Sequence, residues 1–124
     1  MSARSDLEAA LAVALAQWTL LPPRKGTYQR LAKLPAFMVV WAGMQGRGSG
    51  WREELQVGVY TGYATDEGAV AEERLITNVR AMLTAIRSTS LVTVGRVATA
   101  AEGLPLGDIV YDGALIDVVS ADVR

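Results

Sequence analysis

The chain has 124 residues, the size of one ordinary domain, and 51% of them are hydrophobic against 20% charged, which argues against disorder. We therefore predict a single domain over residues 1–124. The chain contains no cysteine and no histidine, which excludes disulfides, cysteine-based zinc sites and every catalytic scheme that needs an imidazole base. No apolar run approaches the ~20 residues that span a bilayer, so we expect a soluble protein made in the cytoplasm, with no membrane partner.

Charge is unevenly distributed along the chain, although the net charge is only −1. Residues 1–52 hold seven basic side chains against two acidic ones, whereas residues 53–124 hold five arginines against eleven acids. One interpretation is a molecule with a positive and a negative side, which favours head-to-tail or ring association. The alternative is a chance distribution of solvated surface charge.

The first predicted element is an amphipathic helix over residues 6–18. Ser5 and Glu8 have the spacing of a capping box at its start, and two consecutive prolines stop it from continuing. The segment that follows, residues 21–35, is basic and rich in turn-forming residues. The apolar residues at helical spacing are Leu7, Leu11, Leu15 and Trp18.

The next two segments predict an antiparallel hairpin. Ala36–Ala42 is a compact apolar run typical of a buried strand, and residues 51–63 alternate in the manner of a half-buried strand. The eight residues between them, 43–50, include four glycines, and Arg47 is their only charge. Because most hairpin loops have two to five residues, we expect a mobile tip that projects from the domain.

A second helix and two further strands complete the predicted fold. The helix covers about residues 66–87, with Thr65 or Asp66 as its cap. Leu91–Thr99 predicts a third strand, and Asp108–Val119 predicts a last strand with Gly113 at a bulge. The residues expected to be buried together are Leu11, Leu15, Val57, Val59, Ile76, Val79, Leu83 and Ile116.

This order of elements, helix–strand–strand–helix–strand–strand, indicates the fold class. It predicts an α+β domain with a mainly antiparallel sheet of about four strands. The two main helices are expected to pack on one face of that sheet, since each needs to bury one apolar stripe.

Few segments favour catalysis or cofactor binding. Residues 46–50 are glycine-rich, but they open a strand instead of a helix and lack the lysine of a nucleotide-binding loop. Glu53 and Glu54 point to opposite faces of a strand, and Glu72 and Glu73 are expected on a solvated helix surface. We therefore predict no enzymatic activity and no cofactor.

A metal site in the last strand is an alternative without a recognisable ligand spacing. Its candidate ligands are Asp108, Asp112 and Asp117. Asp108 and Asp112 could share a face, whereas Asp117 lies on the other face unless Gly113 bulges the strand. We do not predict a bound metal.

Two groups of residues are candidate interaction sites. The hairpin arm offers Gln45, Arg47, Ser49 and Trp51. Aromatic and arginine side chains are common anchors of protein interfaces, and glycine would let the tip reshape on contact. The second group is a basic surface formed by Arg24, Lys25, Arg30 and Lys33, which could also contact a nucleic-acid strand.

Taken in order, the segments make the chain similar to the tail terminator, or tail completion, proteins of long-tailed bacteriophages. The similarity covers almost the whole chain. It consists of an opening amphipathic helix, the run PAFMVVWAG, the strand ELQVGVYTGY, the helix TDEGAVAEERLITNVRAMLTAI and the closing segment YDGALIDVVSADVR.

This resemblance implies a structural virion protein without an active site. It implies a homo-oligomeric ring, expected to be a hexamer, that caps the tail tube and joins it to the head. The partners would be the tail tube protein and the head–tail connector proteins, with DNA passing through the ring without specific binding. The alternatives are another neck or connector protein of the same particle, or a small α+β domain that binds a ligand or nucleic acid.

Overall fold

We describe the protein from a computed structural model, which covers residues 2–23, 31, 33–48, 50–64, 68–99 and 102–120. These ranges contain two helices and six strands. The helices are α1 (Ala3–Ala14) and α2 (Ala69–Thr89). The strands are β1 (Thr19–Leu21), β2 (Ala36–Arg47), β3 (Gly50–Tyr63), β4 (Val92–Thr99), β5 (Leu104–Leu106) and β6 (Ile109–Ser120).

The six strands form one sheet, in the order β1-β2-β3-β6-β4, with β5 paired to the start of β6. All pairs are antiparallel except β1 with β2. The fold is therefore α+β with a mostly antiparallel sheet, and the predicted sheet of about four strands is wrong. The two strands missing from the prediction, β1 and β5, have three residues each. A segment this short carries no readable alternation and is held in the sheet by its neighbour.

Both helices pack on one face of the sheet, which we call the helix-side face. They enclose the main core with the central strands, because their apolar stripes and the inward residues of the strands meet there. The fully or almost fully buried members are Leu7, Leu11, Phe37, Val39, Leu55, Val57, Val59, Met82, Ala85, Ile86, Ile116 and Val118.

The predicted core is partly correct. Leu11, Val57, Val59 and Ile116 are buried, whereas Leu15 and Leu83 are only partly buried against the core. Ile76 and Val79 are also only half-buried. The line of closest contact on α2 runs instead through Met82, Ala85 and Ile86, since α2 packs against α1 as well as against the sheet.

The first helix begins earlier than predicted. Ser2 is its N-cap: the Ser2 Oγ accepts from the Ser5 N–H (3.1 Å), and the Ser5 Oγ accepts from the Ser2 N–H (3.2 Å). Glu8 takes no part in this capping box and pairs with Arg4 at 2.8 Å. Thr65 and Asp66, the predicted caps of α2, lie outside the described residues, and Gly68 is its N-cap.

A second, smaller core lies on the opposite face of the sheet. Its centre is Tyr111, whose ring contacts Tyr60 edge-on (centroids 5.9 Å apart) and Tyr63 at a tilt (5.4 Å). The Leu31 N–H donates to the Tyr111 hydroxyl (3.1 Å), and the Tyr63 hydroxyl donates to the Leu31 carbonyl (2.9 Å). These bonds hold the chain at Leu31 against the sheet, near the end where β2 begins.

Candidate functional site: a projecting hairpin

The glycine-rich segment between β2 and β3 is a regular hairpin. The antiparallel ladder continues to the pair Arg47–Gly50, so only Gly48 and Ser49 connect the strands. Gly48 has φ +61°, a positive value of the kind that tight hairpin turns need. The predicted eight-residue loop across residues 43–50 is therefore wrong, because residues 43–47 and 50 lie in paired strands, whereas the predicted movement of the tip stays a prediction. The Gly-Ser dipeptide was the available signal, because it is typical of two-residue hairpin turns.

Trp51 explains how a strand with so many glycines stays paired. It lies directly across the ladder from Gly46. A Cβ placed on Gly46 would lie 3.6 Å from the Trp51 ring, so the indole covers the space that the glycine leaves. An aromatic ring over a cross-strand glycine stabilises such a pair.

The hairpin extends beyond the rest of the sheet. β6 pairs with β3 only from Glu54 onward, and β1 pairs with β2 only as far as Met38. In the described part of the chain, residues 43–52 therefore form a two-stranded ribbon with no third strand on either side, which we call the arm. A β-bulge between Trp41 and Gly43 marks its base. Isolated two-stranded ribbons are only marginally stable in water.

One face of the arm and its base carries three large apolar side chains, Trp41, Met44 and Trp51, which we call the apolar strip. Directly opposed residues of an antiparallel pair project to the same face. Trp41 is paired with the core residue Leu55, and Met44 with Glu53, whose carboxylate accepts from the Ala3 N–H of α1 (3.3 Å). The strip thus lies on the helix-side face.

The strip is exposed despite its apolar character. The exposed fractions of Trp41, Met44 and Trp51 are 50%, 45% and 54%. Single exposed apolar residues are common on protein surfaces, but several on one face mark an interaction site. The sequence prediction included Trp51 in the site and omitted Trp41 and Met44.

The opposite face of the arm is polar. Gln45, which is paired with Arg52 across the ladder, donates from its Nε2 to the Glu54 Oε1 (3.2 Å). Gln45 and Trp51, which the sequence analysis placed in one site, therefore lie on opposite faces. The side chain of Arg47 and the residue Ser49 are outside the described part of the structure.

Of the predicted basic surface, only Lys33 belongs to the described residues, and it is not brought together with the arm. Lys33 is exposed, and its carbonyl accepts from the Thr19 hydroxyl (3.1 Å). It lies just before the first residue of β2, whereas the arm lies at the last residues of this twelve-residue strand. Arg24, Lys25 and Arg30 lie outside the described residues.

The acidic residues considered as ligands are dispersed. Asp112 lies on the helix-side face, 3.8 Å from the Arg74 guanidinium, whereas Asp117 lies on the other face and accepts from the Gln56 Nε2 (3.2 Å). Asp108 is exposed in the turn between β5 and β6. Among the described residues, no three carboxylates are grouped so as to hold a metal ion.

No helix in the described ranges has both the length and the apolarity needed to cross a membrane. Comparison with known protein families gave no matching family model. Comparison with curated proteins gave no match either.

Proposed function

We propose that the protein is a structural subunit that assembles with copies of itself into a ring. The observation that carries this proposal is the arm, with its apolar strip of Trp41, Met44 and Trp51 exposed on one face. Burying that strip against a neighbouring subunit removes three large apolar side chains from water, and apolar burial is the main favourable term in protein association.

The chemistry of the strip supports an interface more than a reaction centre. Tryptophan and methionine are enriched at interfaces, and neither ionises near neutral pH. The base of the arm is also fixed: Glu53 is bonded to α1 through the Ala3 N–H and to β6 through the Ser120 hydroxyl (3.0 Å), which accepts from the Glu53 N–H. A partner therefore meets a positioned surface, which lowers the entropic cost of binding.

The resemblance to tail terminators supplies the particular assembly that we propose. In this proposal the ring is a hexamer in the neck of a bacteriophage virion, where it caps the tail tube and meets the connector proteins of the head. DNA passes through its centre without sequence-specific contacts. The split of charge between the two halves of the sequence supports contacts between unlike surfaces of neighbouring subunits.

The test is to add the purified protein to tail tubes that carry no terminator and to image the tubes by electron microscopy. We expect a ring at one end of each tube and an arrest of tube growth. A connector protein of another kind would leave tube growth unchanged, and a protein that binds neither tube end would contradict the proposal. A Met44→Ser variant, which changes an exposed residue of the strip and leaves the Trp51–Gly46 pair in place, is expected to weaken end binding while retaining the thermal melt of the wild type.

A further inference from the structure

In the described residues, the outer edge of β2 has no partner strand along most of its length, and the Arg4 guanidinium of α1 donates to the Val39 carbonyl (3.4 Å). β1 covers this edge only from Ala36 to Met38, and in the described residues no other strand lies beside β2 from Val39 to Arg47. Edge strands usually carry lysine, proline or inward charges that prevent pairing with other chains. Here residues 36–46 contain no charge and no proline, and the bulge at the base of the arm is the only interruption of the ladder.

The opposite edge of the same sheet is also open. β4 pairs with β6 on one side, and its eight residues have no described strand on the other. Since β2, β3, β6 and β4 alternate in direction, β4 runs antiparallel to β2. A molecule with two different open edges on opposite sides associates head-to-tail, and such contacts close into a ring when the rotation permits.

We infer that β4 of a second copy adds antiparallel to the outer edge of β2 from Val40 onward, so that neighbouring subunits share one continuous sheet. This inference rests on the proposed self-assembly and identifies the two surfaces that meet. Neighbouring subunits in a ring are related by a rotation, and a rotation about an axis parallel to the strands leaves the direction of every strand unchanged. Because β4 runs antiparallel to β2 within one subunit, β4 of the neighbouring subunit is then also antiparallel to β2. β4, with its eight residues, fits within the free stretch of β2.

Both edge strands, β2 and β4, carry apolar side chains on the helix-side face of the sheet. Val94 and Val97 of β4 are paired with Val118 and Ile116 of the main core, so they lie on the helix-side face, and Val97 is 39% exposed. Strand addition places these valines on the same face as Trp41 and Met44. Adjacent apolar side chains on one face of a sheet stabilise strand pairing, and the new pairing also gives hydrogen-bond partners to edge backbone groups of β2 beyond Val39.

Disulfide cross-linking tests the inference directly, because the chain has no cysteine of its own. A Val40→Cys variant is mixed in turn with each of three single-cysteine variants of β4. Each β4 variant carries a tag of a different length, so that the cross-linked products differ in size. These are Thr93→Cys, Arg96→Cys and Ala98→Cys, whose positions lie on the same face as Val40. A Thr77→Cys variant, on the exposed surface of α2, is the matched control.

We expect mild oxidation to link Val40→Cys to at least one β4 variant and not to the α2 control. Rings that form without any β2–β4 cross-link overturn the inference and leave the proposed function intact. Cross-links between two Val40→Cys chains also overturn it, because they indicate a two-fold pairing of β2 with itself. A protein that stays monomeric contradicts both proposals.

An edge-blocking substitution gives an independent test. Val40→Lys places a charge on the open edge, away from the main core, whereas Val70→Lys places the same charge on an α2 residue that is 79% exposed. We expect the Val40→Lys variant to sediment as a monomer and the Val70→Lys variant to assemble as the wild type does. Far-ultraviolet circular dichroism identifies any loss of folding. Full assembly of a folded Val40→Lys variant would refute the pairing.

Discussion

Gly113 is a position where only glycine fits, because β6 there passes directly against the backbone of β3. A Cβ at Gly113 would lie 2.1 Å from the Val59 carbonyl oxygen and 2.8 Å from the Leu104 Cδ1. The bulge expected at Gly113 lies instead in the partner strand, between Tyr60 and Gly62. The sequence indicated that this position is irregular, but it could not show which strand carries the extra residue.

Substitution of Gly113 by alanine is expected to lower the free energy of unfolding by about 3 kcal/mol, the upper end of the usual cost of overpacking. The contact is with a backbone oxygen, which cannot rotate away. Gly95→Ala is the control, since its Cβ would meet only the Asp117 oxygen at an ordinary 3.5 Å. Urea denaturation measures both variants, and equal midpoints would show that the sheet relaxes around the added methyl group.

The two sides of α1 give a second prediction for single residues. Leu11 is fully buried in the main core, whereas Val13, two residues later, is 81% exposed. Leu11→Ala should cost about 2–5 kcal/mol, because it removes buried methyl groups and leaves a cavity. Val13→Ala should change the stability by less than about 0.5 kcal/mol. Similar losses of stability in the two variants would contradict the orientation of α1.

At the scale of elements, sequence patterns predicted the two helices and the long strands. They did not predict the features that contacts between distant parts of the chain determine. β1 and β5 are strands only because the start of β2 and the start of β6 lie beside them. Periodicity marked an apolar side of α2, but the position of α1 fixes which residues of that side reach the core. These are tertiary effects that a local pattern does not contain.

The arm shows the same limit at the candidate site. Glycine is unfavourable in strands, which predicted a loop, but pairing across the ladder and the ring of Trp51 over Gly46 outweigh that preference. The bulge at the base of the arm shifts the alternation by one residue, which turns a side chain to the other face. Met44 therefore joins Trp41 in the apolar strip, and no count of residues along the sequence could reveal this.

Shortening the arm separates folding from assembly. Replacing residues 45–52 by Asn-Gly keeps the pair Met44–Glu53 in register and closes the hairpin with a favoured two-residue turn. The removed residues belong to the part of the hairpin that has no third strand beside it. We therefore expect the free energy of unfolding to change by only about 0.5 kcal/mol, which leaves the thermal midpoint within a few degrees of the wild type. We also expect loss of self-association, measured by sedimentation. A shortened variant that assembles normally would show that the arm is only a surface hairpin.

At the scale of the whole molecule, the two cores and the arm occupy different places. The helices close one face of the sheet, and the tyrosines around Tyr111 close part of the other. The arm extends from one end, and the two open edges, β2 and β4, lie on opposite sides. Each of these exposed features can be covered by a neighbouring copy related by rotation about an axis along the strands, which is the arrangement of a ring.

The mass of the assembled protein in solution, measured by sedimentation over a wide range of concentration together with images of the particles, tests this account most directly. We predict one discrete species, a closed ring of six subunits with a central opening, in equilibrium with monomer at low concentration. A protein that remains monomeric at every concentration, or that forms open-ended assemblies of no fixed size, would contradict the account.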